Sequence, residues 1–384
     1  MISRADQSLA AEWWRTIDKP LFLSVLSLMV FGLLLSFAAS PSVAERIGVE
    51  PFHFVKRHAV YLAPAVVLFA GCSLLTPRLV RRAAFLLFAV SVLLMIATLF
   101  VGAEVKGSRR WIAIAGFSLQ PSEFVKPAFV VIAAWLFAEN SRRPDIPGNL
   151  FSIILFGIVV ALLMAQPDFG QTMLVGVVWG ALFFLAGMSW LWIGALAGAA
   201  AGGLWLAYAM FPHVAGRIDR FLTGEGDHFQ VDAGREAIVN GGWLGQGPGE
   251  GTVKRIIPDS HADFPFAVAA EEFGILACIL LIALFAFVVL RGLSHALRER
   301  DAYVRLASAG LVLLFASQST INLMVNLQLM PAKGMTLPFL SYGGSSLWSM
   351  AIAMGFLLAL TRRRPESRRI EPTGFSMRPM QPAG

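Results

Sequence analysis

AAFLLFAVSVLLMIATLFV, residues 83–101, runs without a single charge. A helix rises about 1.5 Å per residue, so a run of this length crosses a hydrocarbon layer of ~30 Å. Working outward, further apolar runs fall near 21–40, 58–75, 124–138, 150–165, 171–188, 190–211, 264–290, 306–330 and 338–360. The chain of 384 residues is 57% hydrophobic and 14% charged, with a mean hydropathy of +0.69. That composition excludes an ordinary soluble domain. The reading is an all-α polytopic membrane protein with ten transmembrane helices over 21–361 and a large extracytoplasmic loop, 212–262, between helices 7 and 8. No interval is left for a separate soluble domain.

The first twenty residues carry Arg4, Arg15 and Lys19 without a small-residue cleavage site, so 1–20 reads as a retained cytoplasmic tail. Arg78, Arg81 and Arg82, then Arg142 and Arg143, then Arg291, Arg298 and Arg300 fall in alternate loops on the side of the N-terminus. The basic tail 362–384 continues the pattern with Arg362, Arg363, Arg364, Arg368 and Arg369, and the positive-inside bias makes both termini cytoplasmic. The net charge of +7 follows from this bias and from attraction to anionic lipid, and gives no argument for nucleic acid. Cys72 and Cys278 lie inside predicted spans and offer neither a disulfide framework nor metal-ligand spacing.

Outer loops nonetheless keep cations: Lys106, Arg109, Arg110, Arg217, Arg220, Arg235, Lys254, Arg255 and Lys333. An anionic ligand explains them, since guanidinium forks onto phosphate and lysine acts as a point charge. Charge balance with Glu104, Asp219, Glu225 and Asp232 in solvated loops is the alternative. The loop GGWLGQGPGEGTVKRIIPDSHADFPF, Gly241–Phe266, holds six glycines between Gly241 and Gly251, and its Asp263 meets apolar sequence. Long connections of this kind are usually functional or disordered, and a carboxylate at a membrane edge is costly.

QPSEFVKP, Gln120–Pro127, opens the fourth span and sets Glu123 and Lys126 three apart on one helix face. Such a pair faces the protein interior, either as packing glue or as a cavity wall. Glu271 and Glu272 are adjacent inside the eighth span, and one of them is expected to pair within the bundle, with Lys126 as a partner. QPDFGQ, Gln166–Gln171, places Asp168 in a short turn, where capping is the plain reading. Gln318, Asn322 and Asn326 form a polar stripe on the ninth span, and MTLPFLSYGGSS, Met335–Ser346, interrupts the start of the tenth.

In this order, GSRRWI at Gly107–Ile112, QPSEFVKP, QPDFGQ, the glycine-rich loop with PDSHADF at Pro258–Phe264, and LPFLSYGGSS at Leu337–Ser346 resemble the SEDS family of bacterial cell-wall polymerases, to which FtsW and RodA belong. The resemblance covers nearly the whole chain and is nearer the division type, FtsW, through Arg109-Arg110 and the GxGxGEGxxK run ending at Lys254. Two departures stand out: PDSHADF replaces the family's PEAHTDF-like sequence, and Lys333-Gly334 replaces a TG pair.

The resemblance implies polymerisation of lipid II into glycan strands on the outer face of the bacterial cytoplasmic membrane, at the division septum. Asp263 is then the essential carboxylate, as base or metal-orienting group. Arg109, Arg110, Lys254, His261, Asp168, Gln171 and Ser345 are expected around the substrate, supported by Glu123, Lys126, Glu271 and Glu272. No cofactor is required by the sequence, and a divalent cation, Mg or Mn, stays open. The implied partners are a class B penicillin-binding protein, FtsI-like, and other divisome proteins. An elongation-type RodA-like polymerase and a lipid II flippase or transporter are the alternatives. The absence of an internal repeat and the outer clustering of motifs favour an enzyme.

Overall fold

The computed structural model describes residues 8–105, 108–114, 116–210, 229–257, 262–331 and 334–363, with scattered positions between 215 and 223. Helices occupy all ten apolar runs. In chain order they are α1 (Leu9–Thr16), α2 (Lys19–Ile47), α3 (His53–Ser73), α4 (Pro77–Val101), α5 (Pro121–Arg142), α6 (Gly148–Ala165), α7 (Phe169–Leu185), α8 (Trp190–Met210), α9 (Phe229–Gly241), α10 (Pro265–Arg298), α11 (Ala302–Asn326) and α12 (Gly344–Thr361). Nine of these are long and apolar enough to cross a membrane, and the shorter α7, of 17 residues, completes the ten expected segments.

The helices sort by how much of each is hidden. On α4, Leu86, Leu93 and Phe100 recur every seventh residue and all stand exposed, an apolar stripe that suits lipid rather than water. By contrast α5 is 94% buried and α12 83% buried over their apolar windows, so these two form the centre. Around them, α4 and α11 pack on α5, and α3 packs on α12. Helix α8, only 6% buried, stands at the edge.

Three features depart from the sequence reading. The N-terminal tail contains α1, whose Ser8 caps Ala11 N at 3.2 Å. The stretch before α5 forms an antiparallel meander of β1 (Ala103–Val105), β2 (Ser108–Ile114) and β3 (Phe117–Leu119), with Glu104 opposite Arg109 and Ile112 opposite Leu119. The loop 212–262 is partly helical, because α9 and the 3-10 turn Val253–Arg255 pack with Phe264 and Ala267 into a small apolar cluster separate from the main core.

The start of α10 is broken. Gly274 takes φ 77° and ψ 178°, a conformation open essentially to glycine alone. Residues 242–247 fill the break. Gln246 N and Gly247 N donate to the carbonyls of Glu271 (2.8 Å) and Glu272 (3.1 Å), while Ile275 N (2.9 Å) and Leu276 N (3.3 Å) donate to the carbonyls of Gly242 and Trp243. Each half of the helix thereby has the loop as its cap, which satisfies the groups a helix end leaves bare. Gly241 makes the close approach possible, since a Cβ there would lie 1.9 Å from the Ala270 carbonyl oxygen.

Both ends of the bundle meet on one face: Arg363 N donates to the Thr16 carbonyl at 3.1 Å, and Arg362 Nε to Thr16 Oγ1 at 3.0 Å. An even number of crossings follows.

Candidate active site

Pro121 starts α5 without wasting a backbone donor, and Glu123 in the first turn suits the positive end of the helix. One turn on, Lys126 Nζ lies 2.8 Å from Glu123 Oε2, both side chains almost fully buried. Neither charge depends on the other alone. Gln171 Nε2 donates to Glu123 Oε1 at 2.6 Å, and Lys126 Nζ donates to Gln318 Oε1 at 3.0 Å. This extra bonding is what makes a buried pair tolerable, because Coulomb attraction by itself rarely repays desolvation.

From that pair, polar contacts run in two directions. Toward the sheet, Asp168 caps α7 by accepting from Gln171 N at 3.3 Å, and Arg110 Nη1 lies 3.6 Å from its Oδ2. Burial pushes the Asp168 carboxyl above its ordinary value, while the Arg110 guanidinium pulls the other way. Arg110 also donates to the carbonyls of Gln166, at 3.0 Å, and Pro167, pinning β2 to the α6–α7 turn. Ser345 belongs here too, accepting from Gln120 N at 2.9 Å and donating to the Ser118 carbonyl at 3.3 Å.

Toward the loop, Gln318 Nε2 donates to Thr336 O and Thr336 Oγ1, each at 3.2 Å. One turn further along α11, Asn322 donates to the carbonyls of Met335 and Asp263; a second turn brings Asn326, which donates to the same Asp263 carbonyl. Both Asp263 bonds are 3.2 Å. Asn326 Oδ1 in turn accepts from Ala267 N at 3.3 Å, so the stripe that fixes the Asp263 backbone also caps α10. The Asp263 side chain stays half-buried beside Gly334, where an added Cβ would lie 3.7 Å from Oδ2.

Glu271 and Glu272 do not meet Lys126, whose ammonium is already held by Glu123 and Gln318. The break at Gly274 turns them instead toward the glycine-rich loop. Glu271 accepts from Thr252 N (2.8 Å), Val253 N (2.7 Å), Lys254 N (2.8 Å) and Asn240 Nδ2 (3.2 Å). Glu272 accepts from Gly249 N and from Gly251 N (3.3 Å), and carries the ion pair with Lys254 Nζ. A run of backbone N–H groups of the kind that cradles phosphate is here closed on two internal carboxylates.

The expected site residues therefore fall into groups. Arg110, Asp168, Gln171, Glu123, Lys126 and Ser345 share one network, which the α11 stripe joins to the Asp263 backbone. Lys254 is buried in the second cluster with Glu271 and Glu272, its charge turned inward. Arg109 remains on the surface, 3.3 Å from Glu104. His261 lies outside the described residues, as do Lys106, Arg217, Arg220 and Lys333. Among the described residues no group of three or more His, Cys, Asp or Glu is gathered that could hold a metal ion, so these side chains do not make a metal cage.

Sequence reading missed four contributors. Gln120 and Gln166 each precede a proline in the two QP motifs, a repetition that could have marked them; Gln166 Nε2 donates to Met95 O at 3.1 Å and to Thr98 Oγ1. Thr336 and Asn240 carry no such signal.

The family model for FtsW, RodA and SpoVE, described as a cell cycle protein, matches residues 19–366. A probable peptidoglycan glycosyltransferase FtsW of Caulobacter vibrioides is 46% identical over 365 residues, covering 94% of each chain. The protein of the same description in Neisseria gonorrhoeae is 32% identical, covering 93% of this chain and 88% of its own. Among solved structures, a chain described under "structural coordination of polymerization and crosslinking by a peptidoglycan synthase complex" superposes with a TM-score of 0.73 at 26% identity, over 90% of this chain and 97% of that one. The rod shape determining protein RodA of Thermus thermophilus gives a TM-score of 0.66 at 25% identity, over 93% and 99%.

Proposed function

The chain belongs to the FtsW, RodA and SpoVE family, and from that membership we propose that it is a peptidoglycan glycosyltransferase that polymerises lipid II into glycan strands during cell division. It is a multi-pass membrane protein. The observation that carries the reading to a residue is the holding of Asp263. Its carbonyl is gripped by Asn322 and Asn326 from a buried helix, while its carboxylate is left half-buried at the junction of loop and span.

In the proposed reaction a sugar hydroxyl of the acceptor attacks the anomeric carbon of the donor. Asp263 takes the hydroxyl proton as the new glycosidic bond forms. The bond to the lipid pyrophosphate breaks, and its electron pair leaves on the phosphate oxygen. General-base help of this kind contributes about 10²- to 10⁴-fold. Arg109, exposed at the sheet, and Arg110 beside it supply positive charge for the leaving group. No step is assigned to a metal.

The face opposite the termini is the outer one in this reading, set by the arginine bias of the loops. The chain acts at the septum with a single-span class B penicillin-binding protein and other divisome proteins. That partner's helix packs near the eighth and ninth spans, and its outer domain rests on the 212–262 loop. The division role, rather than elongation, is favoured by the FtsW description of the relative at 46% identity.

Asp263→Asn keeps the side-chain volume and removes the base. Purified variant and wild type are compared for glycan formation from lipid II. A folded variant that polymerises at the wild-type rate would falsify the assignment of Asp263.

A further inference from the structure

On the face where the two ends of the bundle meet, the start of α2, the end of α10 and the end of α12 enclose a cavity of about 230 Å³. This is the far end of α10 from Asp263, about 40 Å along the helix. Among the described residues Arg15, Lys19, Arg291 and Arg363 line it, with His295 and one carboxylate, Asp18. That carboxylate is already engaged. Asp18 caps α2 through Leu21 N at 2.9 Å, accepts from Arg291 Nη2 at 2.8 Å, and lies 2.6 Å from His295 Nε2. Arg291 answers the committed carboxylate, and Lys19 and Arg363 stand exposed at the cavity, so the described lining is positive where it opens.

The surroundings place the cavity at the level of lipid headgroups. Trp13 and Trp14 of α1 lie beside it, with Lys19 Nζ 5.3 Å from the centre of the Trp14 ring and Trp13 Nε1 bonded to Ser73 Oγ at 2.8 Å. Tryptophans so placed mark the membrane–water boundary. One turn beyond Lys19, on the same side of α2, an exposed apolar stripe begins at Leu23 and continues through Val30 and Phe37 at intervals of seven. Cations at the top and a continuous greasy stripe below match a molecule with an anionic head and an alkyl tail. An ammonium-bearing headgroup would meet the same cations unfavourably.

We propose that this cavity binds the phosphate of an acidic phospholipid whose acyl chain lies along Leu23, Val30 and Phe37. The site is independent of the glycosyltransferase reading, because its test reads binding and needs no turnover.

The full chain is reconstituted in nanodiscs containing equal phosphatidylglycerol and phosphatidylcholine, and the lipids it retains are counted by native mass spectrometry. Wild type is expected to retain phosphatidylglycerol preferentially. Lys19→Gln with Arg363→Gln should lower that preference by about fivefold per charge, about 25-fold for the pair. Arg298→Gln with Arg300→Gln, which removes the same charge near the same end of α10 but outside the cavity, should leave it intact. Equal loss in both doubles would mean diffuse surface attraction and overturn the site. So would release of the lipid by millimolar inorganic phosphate, which would mark a soluble anion as the ligand. A wild type without any preference overturns the proposal whatever the variants do.

Discussion

Glu271→Gln probes the latch beneath the glycine-rich loop, and the structure sets how large its effect should be. The substitution keeps the length of the side chain and one of its two oxygens. Oε1 serves Thr252 N, Val253 N and Asn240 Nδ2, while Oε2 serves, among the described residues, Lys254 N. The least costly orientation therefore puts the new amide against Lys254 N, where one charge-assisted bond is lost and two donors confront each other. Hydrogen bonds to charged groups contribute about 1.5–3 kcal/mol each, so about 2–3 kcal/mol is expected here. Because this loop packs in its own small apolar cluster, the loss should open it locally and leave the ten-helix bundle closed. Amide hydrogen exchange at residues 252–254 should then quicken by about 30- to 150-fold. Polymerisation should fall with it, since the loop leads directly to Asp263. Exchange as slow as in wild type, with a lowered global melting temperature, would refute the latch and leave Glu271 a bundle-packing residue.

Arg110→Ala should lower both melting temperature and affinity for a lipid II analogue, because Arg110 holds the α6–α7 turn, whereas Arg109→Ala should lower affinity only; equal melting losses would contradict the difference in burial. Lys126→Met strands the Glu123 carboxylate and should cost about 3–5 kcal/mol in unfolding experiments, while the Glu123→Gln, Lys126→Met double variant should recover part of it. A double variant no better than the single would mean that Gln171 and Gln318, rather than the pair, carry the stability. Gly274→Ala sets a Cβ 2.4 Å from Gly245 N and Trp243 O, so it should expel the 242–247 segment and reduce the folded yield; a wild-type melting curve would show that the break in α10 is not needed.

The residues that were legible in the sequence are those whose burial contradicts their chemistry. Glu123, Lys126 and the Gln318–Asn322–Asn326 stripe stood out against apolar runs, and the structure brings them together with Gln171. The break in α10 was hidden, because a glycine after Glu271-Glu272-Phe273 changes nothing in hydropathy; only the approach of another backbone reveals its φ. The partners of Glu271 were equally hidden, since three of them are main-chain N–H groups that every residue possesses. Loop alternation gives the side of the membrane on which Lys254 lies, but not whether its charge points into solvent or, as here, into the protein. The meander at 103–119 is hidden because β1 and β3 are only three residues each and Arg109-Arg110 interrupts the alternation of β2.

The spacing of Glu123 and Lys126 has a consequence for how the chain is made. Their other partners, Gln171 and Gln318, lie 48 and 192 residues away from Glu123 and Lys126 respectively, both downstream. At about 5–20 residues per second, Gln318 emerges from the ribosome roughly 10–40 s after Lys126. During that interval α5 must enter lipid with two charges in its first two turns, each disfavoured by at most the about 2.5–3.5 kcal/mol that applies at a helix centre. Three residues apart on one helix, the two charges neutralise each other from the moment the first turn forms. The helix destined for the middle of the bundle thus arrives with its own counter-ion, and waits as a dipole for the later helices that will enclose it.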